Sequence, residues 1–283
     1  MSGQSEVQPT VDSDASTRAL HRAMLATCVA GAARAAEIIR ARAANLDGLT
    51  WELKARADFV TDVDRAAETA IVSVVAERHP HARVVGEELS PTMSDREGLV
   101  FVVDPLDGTT NFLHGFPWYA VSIAALVDDE LTAGVVLNVA NGELFTATTG
   151  GGARRNGQPM RVSTIDDPSR ALVGTGFPFK HPDDVGKFVH PLPELMRATA
   201  GIRRPGSAAL DLACVACGRY EAFWELRLAP WDLAAGVLLI REAGGIVTDL
   251  AGEPARVADT SIVAGNPVMH PWLLATLQEG RSR

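Results

Sequence analysis

"VFVVDPLDGTTNF", residues 100–112, sets four apolar residues ahead of two aspartates three apart, followed by Gly-Thr-Thr-Asn. Two readings compete. One is a surface turn after a buried strand. The other is a site where carboxylates hold a metal and backbone amides hold a phosphate. Asp104 follows the apolar run directly, so it belongs at the C-terminal end of a strand. Pro105 has no N–H to donate and is expected to stop the ladder there. That puts Asp107 in a turn, and Gly108-Thr109-Thr110 at the opening of a helix or loop whose free amides suit phosphate. Two nearby carboxylates suit a hard divalent cation. The pattern D-x-x-D-G is common, so this stretch alone leaves both readings open.

Composition narrows the field. A chain of 283 residues with 47% hydrophobic content can bury a substantial core, as one large domain or two small ones. Its longest apolar runs are too short to span a membrane, and the start, MSGQSEVQPTVDSDAST, lacks the pattern of a signal peptide. Three cysteines argue against a disulfide scaffold and for a reducing cytoplasm. A net charge of −9 disfavours nucleic acid as the main partner, because broad phosphate binding needs excess Lys and Arg.

Along the chain, residues 1–15 read as a polar, disordered tail. Helical spacing of Leu20, Met24 and Cys28 predicts a long helix over 16–44, and a second is expected over 61–78. Strands are expected at 84–85, 98–103, 119–127, 131–138 and 142–148, with tight turns at Asp128-Asp129-Glu130 and Asn141-Gly142. Beyond residue 150 follow a strand at 171–176, a helix near 182–199 and a helix opening at Ser207. The last large helix is expected to start at Trp231-Asp232 and end at Gly244-Gly245. No repeat and no linker divides the chain. It reads as a single mixed α/β domain over 16–283, with an α+β half (16–150) that binds metal and an α/β half (151–283).

Three further acidic stretches matter. "VVGEELS" places Glu87 and Glu88 after a short apolar strand, "ADFVTDVDRAAE" sets Asp58, Thr61, Asp62 and Asp64 at a helix entrance, and "APWDLAAG" puts Asp232 at a helix start. Singly, each reads as an N-cap or a solvated turn. A haloacid-dehalogenase arrangement does not fit, because the two aspartates of Asp-Pro-Leu-Asp stand one residue too far apart. Together, K-x-x-x-D-F-V-T-x-x-D, G-E-E, D-P-L-D-G-T-T-N-F, G-S-A-A and W-D-L-A-A-G resemble, in order and spacing, the inositol monophosphatase family, from about Leu20 onward.

That resemblance implies a layered α-β-α-β-α sandwich, shared with fructose-1,6-bisphosphatase, and a Mg²⁺-dependent, lithium-sensitive homodimer. It implies one metal site at Glu87, Asp104 and the Leu106 carbonyl, a second at Asp104, Asp107 and Asp232, and a third, weaker ion using Glu87 again. All-oxygen ligands suit Mg²⁺, and cations would relieve the repulsion among crowded carboxylates. The implied reaction is direct attack of water on a phosphate monoester, without a covalent intermediate. Thr109, partnered by Asp64, orients the water, and the amides of Gly108 and Thr109 hold phosphate oxygens. Gly206, Ser207, Ala208 and Glu225 meet the hydroxyls of a polyol phosphate, with inositol 1-phosphate the first expectation. Histidinol phosphate, fructose 1,6-bisphosphate and nucleotide phosphates are the alternatives, and a regulatory binding protein on the same fold is the non-enzymatic one. Asp62 reads as a first-turn helix charge.

Other features point to packing. Cys214 and Cys217 form C-x-x-C inside an Ala/Leu-rich helix without a second pair. Thr149-Gly-Gly-Gly lacks a P-loop ending and reads as a hairpin. Among the histidines, His79, His81 and His114 have no ligand spacing, and Trp118 and Trp224 read as core or interface.

Overall fold

The apolar run before Asp104 is covered on both faces, and the layering follows from that. In the computed structural model, which describes residues 11–46, 51–55, 58–93 and 97–279, the chain opens with helix α1 (Val11–Ala43), the antiparallel pair β1 (Trp51–Ala55) and β2 (Asp58–Thr61), and helix α2 (Asp62–Arg78). A seven-stranded sheet follows in chain order: β3 (Arg83–Gly86), β4 (Leu99–Asp107), β5 (Ala120–Val127), β6 (Glu130–Asn138), β7 (Leu144–Thr148), β8 (Gly152–Arg155) and β9 (Gln158–Pro159). Between β4 and β5 lies the short helix α3 (Thr109–Leu113). The second sheet has the order β11-β10-β12-β14-β13, from β10 (Leu172–Thr175), β11 (Gly201–Arg203), β12 (Ala222–Leu226), β13 (Ile246–Thr248) and β14 (Ser261–Gly265). Helices α4 (Val185–Val189), α5 (Leu192–Ala198), α6 (Ala208–Ala216), α7 (Pro230–Glu242) and α8 (Met269–Glu279) complete the chain.

Phe101 and Val103 of β4 face the cluster built with α1 and α2, while Val100 and Val102 face the cluster built with α6 and α7. This is the two-residue period of a strand. Helices α6 and α7 lie between the two sheets and are apolar over most of their length, and every residue of α6 is buried. A third cluster, with Trp224, Leu195 and Leu273, seals the outer face of the second sheet under α5 and α8. The order is α-β-α-β-α, the layered sandwich that the motifs imply.

Several expectations need correction. Helix α1 already starts at Val11, so 11–15 are helical, while the rest of the expected tail, 1–10, lies outside the described residues. The helix expected over 182–199 is a 3-10 turn (Pro182–Asp184) followed by α4 and α5, broken around Pro191, which has no N–H to donate to the preceding turn. Helix α8 follows the one expected to be the last large helix. The ladder does not end at Pro105. Asp104 pairs with Ser122 and Asp107 with Ala120, so Pro105 and Leu106 oppose Val121 alone. That is a bulge, and β4 resumes beyond it.

Packing between the sheets is tight where glycine permits it. A Cβ on Gly236 of α7 would come within 2.6 Å of the Leu212 Cβ of α6. Gly236→Ala should gain about 1 kcal/mol of helix propensity but lose about 1–3 kcal/mol to overpacking. A net fall in melting temperature is expected by circular dichroism, and a rise would mean that the α6–α7 contact is looser than described.

Candidate metal and phosphate site

The bulge in β4 sets the site. In a regular strand, residues three apart face opposite sides. The extra residue at Pro105-Leu106 reverses that parity, so Asp104 and Asp107 converge. With Asp232 they offer carboxylate oxygens that all lie within 4.8 Å of one another.

Each acid is held by the backbone around it. Asp104 is buried and its Oδ1 accepts from Leu106 N at 2.9 Å, inside the bulge. Asp107 Oδ2 accepts from Ser207 Oγ at 2.5 Å and from Ala209 N at 2.8 Å, so the N-terminus of α6 is aimed at it. Asp232 is not the N-cap of α7. The cap is Ala229, and Asp232 is the third helical residue, whose Oδ2 accepts from Ala229 N at 2.7 Å. That back-bond is the acidic half of a capping box.

Glu87 lines the same cavity and its charge bears on Asp104, but the close trio is made by the three aspartates without it. Its loop is organised by Glu68, buried in α2, which accepts from Glu88 N at 2.8 Å and Leu89 N at 3.0 Å. A Cβ on Gly86 would strike the Glu68 carboxylate at 2.2 Å, which explains the glycine of G-E-E.

Gly108 has φ +91°, and a Cβ there would meet Trp118 O at 3.0 Å. Glycine is required on both counts. It caps α3, whose first amides have no preceding turn to bond. Thr109 Oγ1 lies 2.9 Å from Asp64 Oδ1 and 3.0 Å from the Leu106 carbonyl, and its one proton can serve either. Asp64 is buried behind Thr109, where it completes a capping box with Thr61. Asp62 is exposed and pairs with Arg42 at 2.7 Å.

Gly206, Ser207, Ala208 and Glu225 line the cavity of about 370 Å³ together with Glu87, Asp104, Leu106, Asp107, Gly108, Thr109 and Asp232. Ser207 is the N-cap of α6. Of the site residues that the resemblance implies, only Asp64 stays off the cavity wall, one hydrogen bond behind it. Sequence reasoning gave no role to Asn111, whose Nδ2 donates to Trp118 O at 2.7 Å and Pro205 O at 2.9 Å, tying the D-G-T-T-N turn to the Gly206 loop. Arg204, Lys180 and Asp211, also in the lining, were missed too. Asn111 lay inside a quoted motif; Lys180 and Arg204 sit on loops, and Asp211 on α6, that local pattern does not join. His114 does not line the cavity.

Burial pushes the Asp104 carboxyl well above the usual range, and Glu87, Asp107 and Asp232 add repulsion. Burial also raises Asp107, against the pull of Ser207 and Ala209. Glu225 is pushed up to about 8 by burial, then by Asp232 and Asp107. Crowded, buried, all-oxygen donors of this kind fit a divalent cation such as Mg²⁺, whose charge would offset the repulsion.

The inositol monophosphatase family model matches residues 21–282. A relative named Nus factor SuhB, from Pseudomonas aeruginosa, is 44% identical over 259 residues, covering 90% of this chain and 96% of the relative. The crystal structure of extragenic suppressor protein suhB from Bartonella henselae superposes with a TM-score of 0.84 at 39% identity, over 93% of this chain and 99% of that one. Inositol monophosphatase from Anabaena does so with a TM-score of 0.78 at 32% identity, over 91% and 96%.

Carboxyls raised in the folded state bind protons that the unfolded chain releases, so stability falls as pH rises through that window. For metal-free protein the window opens near the ordinary carboxylate value of about 4 and, for Glu225, closes at about 8. Asp184, held down to about 2 by Lys187 and Arg227, loses its contribution only on the acid side of this window. The melting temperature of chelator-treated protein should therefore drop between about pH 5 and about pH 8, and Mg²⁺ should raise it more at the higher pH. A flat profile with no Mg²⁺ effect would show the acids to be neutralised without a cation.

Proposed function

Because the chain belongs to the inositol monophosphatase family, we propose that it is a Mg²⁺-dependent phosphomonoesterase of small polyol phosphates, with inositol 1-phosphate as the first substrate. The observation that carries this reading is the convergence of three aspartates beside the Thr109–Asp64 pair. Asp104, Asp107, Asp232, Glu87 and the Leu106 carbonyl would hold two to three ions. When bound, Mg²⁺ supplies an acidified water and neutralises charge on the leaving oxygen.

The chain's own residues do the rest. Thr109 donates its hydroxyl hydrogen bond to Asp64 or to the Leu106 carbonyl, so its oxygen is left to accept from a water and fix its orientation. The amides of Gly108 and Thr109 hold the phosphate oxygens. Ser207 and Ala209 fix one oxygen of Asp107, which leaves the other to face the trio. Glu225, with the backbone of Gly206 and Ala208, meets the polyol hydroxyls. Lithium sensitivity, a cytoplasmic setting and a homodimer belong to the same reading. The exposed apolar side chains of Val185, Val189 and Met196 support a subunit contact. No helix of the described residues is long and apolar enough to cross a membrane.

A second reading comes from relatives named Nus factor, under which the chain serves a transcription-related role on this fold, with or without catalysis. Such a role would bring RNA polymerase or nucleic acid in as a partner, the latter against the expectation from net charge.

Mg²⁺-dependent phosphate release from inositol 1-phosphate should vanish with a chelator. Asp107→Asn should remove most of it while leaving the melting temperature of metal-free protein unlowered, since it deletes a charge and keeps the shape. Thr109→Ala should cost about 10²-fold in kcat. Full turnover in chelator-treated protein would sink the enzymatic reading. Asp107→Asn protein that still supports transcription in a reconstituted assay would favour the second one.

A further inference from the structure

The cavity changes character along its length. Its inner end is acidic, but its mouth carries Lys180, His181, Arg204 and Arg227, in a chain whose net charge is −9. These cations are not equivalent. Arg227 already gives its Nε to Asp184 at 2.7 Å. Arg204 is exposed, and among the described residues no carboxylate or hydrogen-bond acceptor engages it. Instead its Cζ lies 5.1 Å from the centroid of the Phe177 ring and 4.9 Å from that of Phe179.

Phe177 and Phe179 are 40% and 52% exposed, an expense of apolar surface at the mouth of a polar cavity. Their contact with the guanidinium accounts for it. Two ring contacts restrain the group without using its N–H donors, which remain as a fork shaped for two oxygens of a phosphate or carboxylate. The fork also lies close to the reaction centre. A Cβ on Gly206 would come within 2.9 Å of Arg204 Nη1, and the next residue, Ser207, holds Asp107. Arg204 and Lys180 both act electrostatically on Glu225, so their fields reach into the cavity.

We propose that Arg204, held by Phe177 and Phe179, binds a second anionic group at the far end of the substrate, so that the favoured polyol phosphates carry two anionic groups. This rests on the phosphatase reading and narrows its substrate class. A rival role is to offset the buried Asp211 and the half-buried Glu225, which feel its charge, although neither pairs with it.

D-Fructose 1,6-bisphosphate and D-fructose 1-phosphate share the ester at C1; the bisphosphate adds a phosphate at C6, which also holds the sugar in its furanose form, so the response of the Arg204 variants assigns the difference. With Mg²⁺, kcat/KM should favour the bisphosphate by about tenfold or more, chiefly through KM, and the margin should narrow as ionic strength rises. Arg204→Ala and Arg204→Gln should both erase the preference, and Arg204→Lys should keep part of it. Equal wild-type kcat/KM for the two esters overturns the proposal. So does an equal loss on both esters in Arg204→Ala, which is what the rival role predicts, or a preference that survives Arg204→Gln. Stimulation of fructose 1-phosphate turnover to the bisphosphate level by added sulfate would assign Arg204 to a free anion and overturn it as well. Turnover of inositol 1-phosphate without the preference leaves the phosphatase reading standing. Absence of turnover with all three esters removes both.

Discussion

Three carboxylates that repel one another must be kept within 4.8 Å, and much of the architecture answers that demand. Isolated and buried, such groups would take up protons or move apart. Here each is pinned by at least one backbone N–H: that of Leu106 for Asp104, Ala209 for Asp107 and Ala229 for Asp232. The pinning donors come from a bulge, a helix N-terminus and a helix first turn, three places where amides are left over from regular pairing. Irregular backbone is thus concentrated where charge has to be held, and the regular layers around it supply rigidity.

Much of this was legible in the chain. The strands of the first sheet, the turn at Asp128-Asp129 and the caps at Thr61 and Ser207 follow from period and local chemistry, because each depends on neighbours a few residues away. The bulge was not legible. Pro105 signals a break in pairing, but whether the strand ends or steps over one residue is decided by β5, which pairs on both sides of the gap. The break at Pro191 was misjudged because an apolar, helix-forming stretch on either side hid it. Glu68, Asn111 and Arg204 were missed for one reason. Each acts on a loop distant in sequence, and no local pattern marks a residue whose partner is 20 or 94 positions away.

The site residues carried over from the family came from motif order, not from spacing alone, and the distinction matters. Local reading left D-x-x-D-G undecided between turn and site, and only the company of the other motifs tipped it. Likeness to proteins with different names, inositol monophosphatase and Nus factor SuhB, leaves one fold compatible with two kinds of work. The residues that separate members of such a group are then to be sought away from the shared acids. Here that means the cavity mouth, where a guanidinium rests against two exposed phenylalanine rings.

The trio has one more consequence, for the folding of the chain. Asp104 and Asp107 stand on β4 of the first sheet, whereas Asp232 stands on α7, which packs against both sheets from far along the sequence. An ion gripped by all three would be a reversible crosslink closing a very long loop, and closing a long loop removes more freedom from the unfolded chain than closing a short one. Occupancy would then tie together segments made far apart in synthesis, and loss of the ion would loosen the seam between the sheets before either sheet frays at its edge.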